Sequence, residues 1–312
     1  MAIIVRHYLK LNLRRLYRIA TRGSRITAHN AKYLSEALAQ LQLAGERQNT
    51  LPLTSRVCRQ RDLFTDWHKT QCKAIGEAPN FHRKQWEYCY LLQALEERGC
   101  LLEGKFGLGF GVGREPLAAR MAALGASITA TDMSTEAAHK KGWIKSNEHA
   151  DSLAALRRPT ICPDEVLDAR IRFRPVDMNA IPSDLRDFDF LWSSCALEHL
   201  GTLENGLRFV RESARCLKVG GIAVHTTEYN LDSNDETVES GSTVLFRRRD
   251  FERLDAELLD MGMALEPLEF EPGDGILDHY IDLPPYKGGI HLRLPFWDYT
   301  ITSFGLILRR IR

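Results

Sequence analysis

Four glycines stand at alternate positions, Gly107, Gly109, Gly111 and Gly113, between an apolar predicted strand and a helix-like segment. Glycine lets the backbone approach a ligand closely, and the free N–H groups at a helix start bind polar or anionic groups. A second predicted strand ends on Asp132, about 20 residues further on, where a βαβ nucleotide site places the carboxylate that binds ribose hydroxyls. The spacing therefore predicts a binding site for an adenosine-type cofactor.

The glycine spacing also bears on which adenosine cofactor this is. The dinucleotide fingerprint G-x-G-x-x-G requires a third glycine, but Arg114 or Val112 stands at that position in the two possible registers. An NAD-dependent oxidoreductase is therefore an alternative that the sequence disfavours. The pattern present is G-x-G-x-G, from Gly109 to Gly113.

With this pattern, the sequence resembles the class I S-adenosylmethionine-dependent methyltransferases over roughly residues 86–312. Besides the glycines and the strand end at Asp132, the resemblance rests on the segments 176–178, 188–200 and 214–221. It implies S-adenosylmethionine as the cofactor. The cofactor contacts that it implies come from the glycine loop and the ends of the following strands: Gly107, Gly109, Gly111, Gly113, Asp132, Met133, Asp177, Met178 and Ser194.

The resemblance gives two aspartates separate roles. Asp132 is expected to accept hydrogen bonds from the ribose hydroxyls, and Asp177 from the adenine amino group, with Met178 packing near the ring. An alternative is that both aspartates only cap loops at strand ends. Gly107 departs from the family, which usually has an acidic residue there, so another carboxylate or another loop arrangement is expected.

Two histidines and two glutamates, Glu198, His199, His225 and Glu228, follow or end the predicted fourth and fifth strands. Methyl transfer is an in-line displacement in which positioning supplies much of the rate, but a hydroxyl acceptor also needs a base. In one interpretation His199 or His225 is that base, oriented by Glu198 or Glu228. In a second, Glu198, His199 and His225 bind a divalent metal, and in a third they are structural.

Of these interpretations we favour the general base. The expected reaction is O-methylation of a hydroxyl on a small molecule or a glycan, with His199, His225 and Glu228 as catalytic residues and no metal. A hydroxyl acceptor depends on a base more than an amine does, which is why these residues favour it.

Strand-like and helix-like patterns alternate after residue 99. The predicted strands lie at 106–110, 127–131, 171–176, 188–193, 221–227, 264–270 and 302–309, and the predicted helices at 81–98, 114–124, 135–142, 203–217 and 249–261. This alternation predicts an α/β fold with a Rossmann-like, doubly wound, mostly parallel seven-stranded sheet and a helical N-terminal extension.

We divide the chain into a basic helical extension, residues 1–80, and a methyltransferase domain, residues 81–312. Two insertions, around 232–248 and 271–294, are expected to form lids over the substrate. The second insertion is rich in aromatic, acidic and histidine residues, which suits a polyhydroxylated acceptor such as a sugar. An ordinary irregular lid is the alternative.

Composition narrows the class of protein. The 312 residues are 44% hydrophobic and 27% charged, with a formal net charge of +1, so charge indicates no nucleic-acid partner. The seven cysteines show no CxxC spacing, which favours reduced thiols and a cytoplasmic location. No apolar run approaches the length of a membrane-spanning helix.

The first 35 residues contain eight lysines and arginines and no acidic residue. Leucines recur among them at helical spacing, which predicts a basic amphipathic helix. Such a helix could pack on its own domain or on a second subunit, contact an anionic membrane peripherally, or form a transit peptide. A non-catalytic methyltransferase-like scaffold at a membrane surface is the corresponding alternative function, and a homo-oligomer is the corresponding alternative assembly.

Overall fold

The computed structural model describes residues 22–31, 52–141, 148–286 and 289–312. Most of the basic N-terminal segment lies outside these ranges. The strands are β1 (Ser55–Val57), β2 (Phe81–His82), β3 (Phe106–Phe110), β4 (Ser127–Asp132), β5 (Ile171–Pro175), β6 (Phe188–Ser194), β7 (Leu217–Asn230), β8 (Met263–Leu265), β9 (Leu268–Glu269), β10 (Ile290–His291), β11 (Leu294–Phe296) and β12 (Tyr299–Arg310).

Helices cover both faces of the sheet that these strands form. They are α1 (22–31), α2 (Gln60–Leu63), α3 (Asp66–Ala74), α4 (Arg83–Glu96), α5 (Leu117–Ala123), α6 (Thr135–Lys141), α7 (Asp164–Arg170), α8 (Leu203–Ala214), α9 (Arg248–Asp260) and α10 (Ile276–His279). Short 3-10 turns occur at Leu153–Leu156 and Leu197–His199.

Five parallel strands form the centre of the sheet, in the order β5-β4-β3-β6-β7. The chain runs from β3 outward to β5 on one side and then returns to β6 on the other side. The strand order therefore reverses between β3 and β6, which is where open α/β sheets bind ligands, at the carboxyl ends of the strands. This arrangement confirms the predicted Rossmann-like, doubly wound fold.

The other edge of the sheet is mixed. β12 pairs antiparallel with β7, and β1 pairs antiparallel with β12. With these two strands the sheet has seven; six of them, β3 to β7 and β12, match predicted strands, whereas β1 was not predicted. Three short strands, β8, β9 and β11, extend it to ten within the described ranges, because the predicted strand at 264–270 is split into two pieces and residues 294–296 add a third.

Side chains of the central strands alternate between two apolar layers, as the period of a strand requires. β6 sends Phe190 and Trp192 to the layer that contains Trp86 of α4, and Leu191 to the layer that contains Phe209 of α8. All five side chains are buried. Apolar helices therefore pack on both faces and hold the carboxyl ends of the strands at one edge.

The N-terminal region contributes to this same sheet. Residues 55–57 form β1, which pairs with β12, so the sheet includes residues from before position 80. The domain boundary at residue 80 stays a prediction. Helix α1 contacts the second insertion, where Asn30 Nδ2 donates to the Ile281 carbonyl at 2.7 Å and Asn30 Oδ1 accepts from the Ile281 N–H at 3.0 Å. None of the helices in the described ranges combines the length and apolar character that a membrane-spanning segment requires.

Candidate active site

A cavity of about 830 Å³ opens where the carboxyl ends of β3, β4, β5 and β6 meet. This volume lies within the usual range of small-molecule pockets. We distinguish two parts of its wall. The Asp132 half comprises Gly111, Gly113, Asp132, His149, Asp177 and Met178, and the Glu228 half comprises Arg83, Lys84, Glu115, Cys195, Glu198, His199 and Glu228.

Asp132 ends β4, and its carboxylate lies on the cavity wall. It accepts hydrogen bonds from three backbone N–H groups: Gly113 at 3.1 Å, Met133 at 2.7 Å and Ala150 at 3.2 Å. These bonds hold the glycine loop and the loop after α6 against the end of β4. The side chain is 8% exposed, so a ligand can reach it only from the cavity.

The four glycines divide into two pairs with different roles. Gly111 and Gly113 line the cavity and have positive φ angles of 58° and 49°, which residues other than glycine rarely adopt. Gly107 and Gly109 lie within β3, where an added Cβ would come within 2.3 Å of the Phe190 ring and 2.4 Å of the Trp192 ring. The first pair shapes the cavity, whereas the second makes room for rings packed across the strand.

The Phe190 ring also explains the departure from the family at Gly107. No side chain fits at position 107 without displacing that ring, so an acidic residue has no space there. The loop is instead held by Asp132, which bonds the Gly113 N–H directly. Of the nine predicted cofactor residues, Gly107 and Gly109 therefore lie away from the cavity wall.

The other predicted cofactor residues line the cavity, namely Gly111, Gly113, Asp132, Met133, Asp177, Met178 and Ser194. Asp177 is exposed, and its Oδ1 accepts from the Asn179 N–H at 2.8 Å, as in an aspartate turn. Its second oxygen remains available to a donor in the cavity. Met178 lies across from Gly111, where a Cβ would meet its Sδ at 3.4 Å.

The Asp132 half fits an adenosine cofactor by its chemistry. Buried polar groups normally have partners, yet neither ring nitrogen of His149 has a hydrogen-bond partner within the described chain. His149 is 3.4 Å from Asp132 (Nδ1 to Oδ1), so an acceptor and ring nitrogens face the same space. A ribose diol would offer hydroxyls to His149 and Asp132, and Gly111 leaves room beside them.

Arg83 and Glu228 form an ion pair in the Glu228 half. Arg83 Nη2 is 2.6 Å from Glu228 Oε1, and Arg83 Nη1 donates to Ser303 Oγ at 3.0 Å. Glu228 lies near the carboxyl end of β7, and Ser303 lies opposite it on the neighbouring β12. Burial raises the pKa of Glu228, and Arg83 partly offsets that effect.

Lys84 interacts with two further carboxylates. Its Nζ is 2.9 Å from Glu87 Oε2 and 4.0 Å from Glu115 Oε1. Burial opposes ionisation of Glu87, but Lys84 and then Arg83 outweigh it and hold the pKa of Glu87 at about 2. Burial dominates for Glu115, whose pKa is raised to about 8 although Lys84 lowers it in part.

The sequence interpretation did not include Arg83, Lys84, Glu87 or Glu115. Arg83 and Lys84 stand in the first turn of α4, and Glu87 stands one turn later on the same face. In the sequence, this spacing is equally typical of a solvated helix surface. Only the packing of α4 over the strand ends turns Arg83 and Lys84 toward the cavity.

His199 follows β6 and lies on the cavity wall. Its Nδ1 is 2.8 Å from the carbonyl oxygen of Ser242, and its Nε2 is 3.9 Å from Glu198 Oε1. A carbonyl only accepts hydrogen bonds, so Nδ1 carries the hydrogen and Nε2 of the neutral ring carries the lone pair. Glu198 is fully buried and accepts from Thr227 Oγ1 at 3.0 Å, which fixes its position beside the ring.

His225 lies in the interior of β7, away from the cavity wall. It is fully buried, with Nδ1 2.8 Å from Ser193 Oγ and its ring against Phe209. Burial lowers its pKa to about 3, so the ring stays neutral. The structure therefore brings His199 and Glu228 to the cavity but places His225 in the core, because successive residues of a strand face opposite sides of the sheet.

The metal alternative combined Glu198, His199 and His225, and this set is not brought together because His225 faces the core. The metal-type ligand atoms that do converge at the cavity, within 4.8 Å of one another, belong to Cys195, Glu198 and Glu228. Burial raises the pKa of the Cys195 thiol well above its usual value, with Glu87 acting in the same direction.

Comparison with known proteins shows which family model and which solved structures the chain is similar to. Residues 106–225 match the sequence model of a family described as a methyltransferase domain. No curated protein sequence gives a match. Among solved structures, the chain is similar to an S-adenosylmethionine-dependent methyltransferase from Mesorhizobium loti, with 18% identity, 70% of this chain and 96% of that chain covered, and a TM-score of 0.43. It is also similar to phosphoethanolamine N-methyltransferase 2 from Haemonchus contortus, with 15% identity, 81% and 59% coverage, and a TM-score of 0.46.

The reversed strand order and the cavity at its carboxyl edge define a Rossmann-like protein that binds a nucleotide-type ligand. The matched residues 106–225 contain β3 to most of β7, which are the strands that form this cavity. Over residues 106–225 the chain therefore has a methyltransferase domain. It is an enzyme, and its cofactor is S-adenosylmethionine.

Proposed function

We propose that this methyltransferase transfers the methyl group to a hydroxyl of a small molecule or a glycan, with His199 as the general base. The observation that carries this proposal is the pair formed by His199 and the buried Glu198 on the cavity wall. S-adenosylmethionine, when bound, supplies a methyl group on a sulfonium that is already activated for displacement. The chain must then position the acceptor and remove its proton.

His199 is suited to proton removal. Its Nδ1 hydrogen is directed to the Ser242 carbonyl, and its Nε2 lies on the side of Glu198, 3.9 Å from Oε1. When Nε2 takes the hydroxyl proton, the imidazolium lies beside a carboxylate, which stabilises its charge. The hydroxyl oxygen forms the new bond to the methyl carbon, and the sulfur keeps the electron pair of the bond that breaks.

Two carboxylate oxygens without hydrogen-bond partners support a substrate that carries several hydrogen-bond donors. Glu198 Oε1 and Glu228 Oε2 are buried and lack a hydrogen-bond partner among the residues that the structure describes. One oxygen from each glutamate lies within 4.8 Å of the other. Neighbouring hydroxyls of a sugar or another polyol can donate to both. A buried carboxylate oxygen without a hydrogen bond is costly, so a substrate that donates hydrogen bonds to these two oxygens gains affinity.

The same two carboxylates favour a second candidate, N-methylation of an amine. An ammonium group donates in several directions and is attracted by two glutamates. An amine must still lose a proton before it attacks, and His199 lies close enough to Glu198 to take it. The two candidates therefore differ in the acceptor atom and share the base.

An acceptor panel tests the proposal. The full-length protein is incubated with methyl-labelled S-adenosylmethionine and either polyols, sugars and phenols or primary and secondary amines. Formation of S-adenosylhomocysteine measures turnover, and NMR of the labelled product identifies the methylated atom. Turnover with hydroxyl compounds and an O-methyl product is expected. Methylation of nitrogen alone would contradict the proposal and support the second candidate.

The predictions on location and assembly have their own tests. We propose a cytoplasmic protein with peripheral membrane contact through residues 1–35, supported by the eight basic residues and absence of acidic residues there. Flotation with anionic vesicles is expected to recover the full chain and not a chain lacking residues 1–35. Light scattering of the full chain tests the proposed homo-oligomer.

A further inference from the structure

A second cluster of chemically active side chains lies between α3 and α4, outside the cavity. Cys72 Sγ is 3.5 Å from Cys89 Sγ, 3.6 Å from His68 Nδ1 and 3.8 Å from His68 Nε2. One ligand atom from each of the three residues lies within 4.8 Å of the other two. The methyltransferase reaction uses none of them.

Helix geometry brings the cluster together. His68 and Cys72 are four residues apart on α3, which places both side chains on one face of that helix. Cys89 projects from α4, which packs against α3. All three side chains are fully buried. The pattern H-x-x-x-C followed by a distant cysteine differs from CxxC spacing, which is why the cysteine spacing alone did not indicate it.

The spacing of the atoms matches that of a tetrahedral site. Zn²⁺ binds thiolate sulfur at about 2.3 Å and imidazole nitrogen at about 2.0–2.1 Å. At a tetrahedral angle, these bond lengths place two sulfurs roughly 3.8 Å apart and a sulfur and a nitrogen roughly 3.6 Å apart. The observed separations, 3.5 Å between sulfurs and 3.6 Å from Cys72 Sγ to His68 Nδ1, require only small shifts.

Charge also favours a divalent ion at this position. Two thiolates and one neutral imidazole balance the charge of a divalent ion, so the complex can stay buried at little electrostatic cost.

We propose that His68, Cys72 and Cys89 form a binding site for a soft divalent ion, with Zn²⁺ as the ion that two thiolates and an imidazole select. Mg²⁺ and Ca²⁺ prefer oxygen ligands and do not suit this set. Three protein ligands leave a fourth position for water or a small anion. The ion joins α3 to α4, the helix that carries Arg83 and Lys84 to the cavity.

The test is metal binding by the full-length protein, kept reduced with a phosphine and freed of metal with a chelator. Titration with Zn²⁺ alone, followed by elemental analysis, is expected to give one tightly bound ion per chain. Titration with Co²⁺ is expected to give a thiolate-to-metal charge-transfer band. Cys72→Ser and Cys89→Ser are each expected to weaken Zn²⁺ binding on the order of 100-fold or more, since they remove a direct ligand.

Cys162→Ser is the matched control, because Cys162 is equally buried and has the Pro163 carbonyl as its recorded partner, at 3.6 Å. It should leave binding unchanged. Cys72 and Cys89 variants that do not fold are replaced by His68→Gln, which keeps both thiols and is expected to lose affinity as well. Zn²⁺ should also raise the melting temperature of the wild type and not of these variants.

Three results would overturn the proposal. One is the absence of Zn²⁺ binding by the reduced, folded wild type. Another is equal binding by the wild type and by a folded protein with both Cys72→Ser and Cys89→Ser, which would place the ion elsewhere. A crosslink between the two cysteines that persists in the phosphine-treated protein would also count against it, since a disulfide leaves no thiolate.

Discussion

The two halves of the cavity are built in different ways. The Asp132 half consists of loops that follow consecutive strands, and its main contacts are hydrogen bonds from backbone N–H groups to one carboxylate. The Glu228 half combines side chains from α4, from the segments that follow β3 and β6, and from β7, with an ion pair between residues as distant in sequence as Arg83 and Glu228.

The proposed function accounts for this difference by what each half would recognise. A ribose and an adenine present the same groups in every protein of this class, so a short loop with glycines and two carboxylates suffices. An acceptor varies, and its contacts come from whatever side chains the packing of helices and strands brings to the cavity. We therefore expect changes in the Asp132 half to affect cofactor affinity, and changes in the Glu228 half to affect turnover.

The largest expected effect concerns His199. His199→Ala removes the base, so turnover with a hydroxyl acceptor should fall by about 10²–10⁴-fold. Affinity for S-adenosylhomocysteine, measured by isothermal titration, should change little, because the ring lies in the Glu228 half. His139→Ala, at an exposed position on α6, is the control and should keep full turnover. Unchanged turnover in His199→Ala would remove this residue from the mechanism.

The second prediction compares two aspartates of the Asp132 half. Asp132→Ala removes an acceptor from the ribose diol and leaves three backbone N–H groups unpaired, so affinity for S-adenosylhomocysteine should fall about 100-fold, at roughly 1.5–3 kcal/mol for each charged hydrogen bond. Asp177→Ala should cost only about tenfold, because Asp177 is exposed and is expected to receive one bond from adenine. A larger loss in Asp177→Ala would reverse the assignment of these two roles.

The third prediction separates two glycines of the same run. Gly107→Ala places a Cβ within 2.3 Å of the buried Phe190 ring, so the free energy of unfolding should fall by about 1–3 kcal/mol while cofactor affinity of the folded protein is kept. Gly111→Ala introduces a Cβ at a φ of 58°, beside Ala196 and Met178 in the cavity. It should weaken S-adenosylhomocysteine binding more than Gly107→Ala does. Urea unfolding and isothermal titration measure the two effects.

These glycines also show how far the sequence could be interpreted. The run from Gly107 to Gly113, the strand end at Asp132 and the alternation of elements predicted the fold and most of the Asp132 half, because all three are local patterns. The sequence could not distinguish Gly107 from Gly111, since the difference depends on the Phe190 ring from a neighbouring strand. It also could not show that His225 faces the core while His199 faces the cavity.

The Glu228 half was predicted least well, for the same reason. Arg83 and Lys84 reach the cavity only because α4 packs over the strand ends, and that packing depends on residues more than 100 positions away. A charged first turn of a helix is common on surfaces, so its residues carry no signal by themselves. The cluster of His68, Cys72 and Cys89 was missed in the same way.

The smallest expected effect concerns the pH dependence of stability, and it lies within the Glu228 half. Burial raises the pKa of Glu115 from its ordinary value of 4.5 to about 8, with Lys84 only partly offsetting it. The folded state therefore holds this proton more tightly than the unfolded state. The stability that Glu115 contributes is present below pH 4.5 and is lost as the pH rises through about 8.

Glu115→Gln removes this titration. Between pH 5.5 and 8.5 the wild type should lose stability relative to Glu115→Gln. Each kcal/mol of unfolding free energy lost should lower its melting temperature by about 2–4 °C relative to that variant. Glu87 has the opposite sign, because Lys84 and Arg83 hold its pKa at about 2, so its contribution is present at neutral pH and is lost as the pH falls from 4.5 through about 2. Glu103→Gln, at a side chain that is 84% exposed, is the control and should follow the wild type. Parallel curves for the wild type and Glu115→Gln would show that Glu115 ionises normally, and that Lys84 is shared between two carboxylates rather than committed mainly to Glu87.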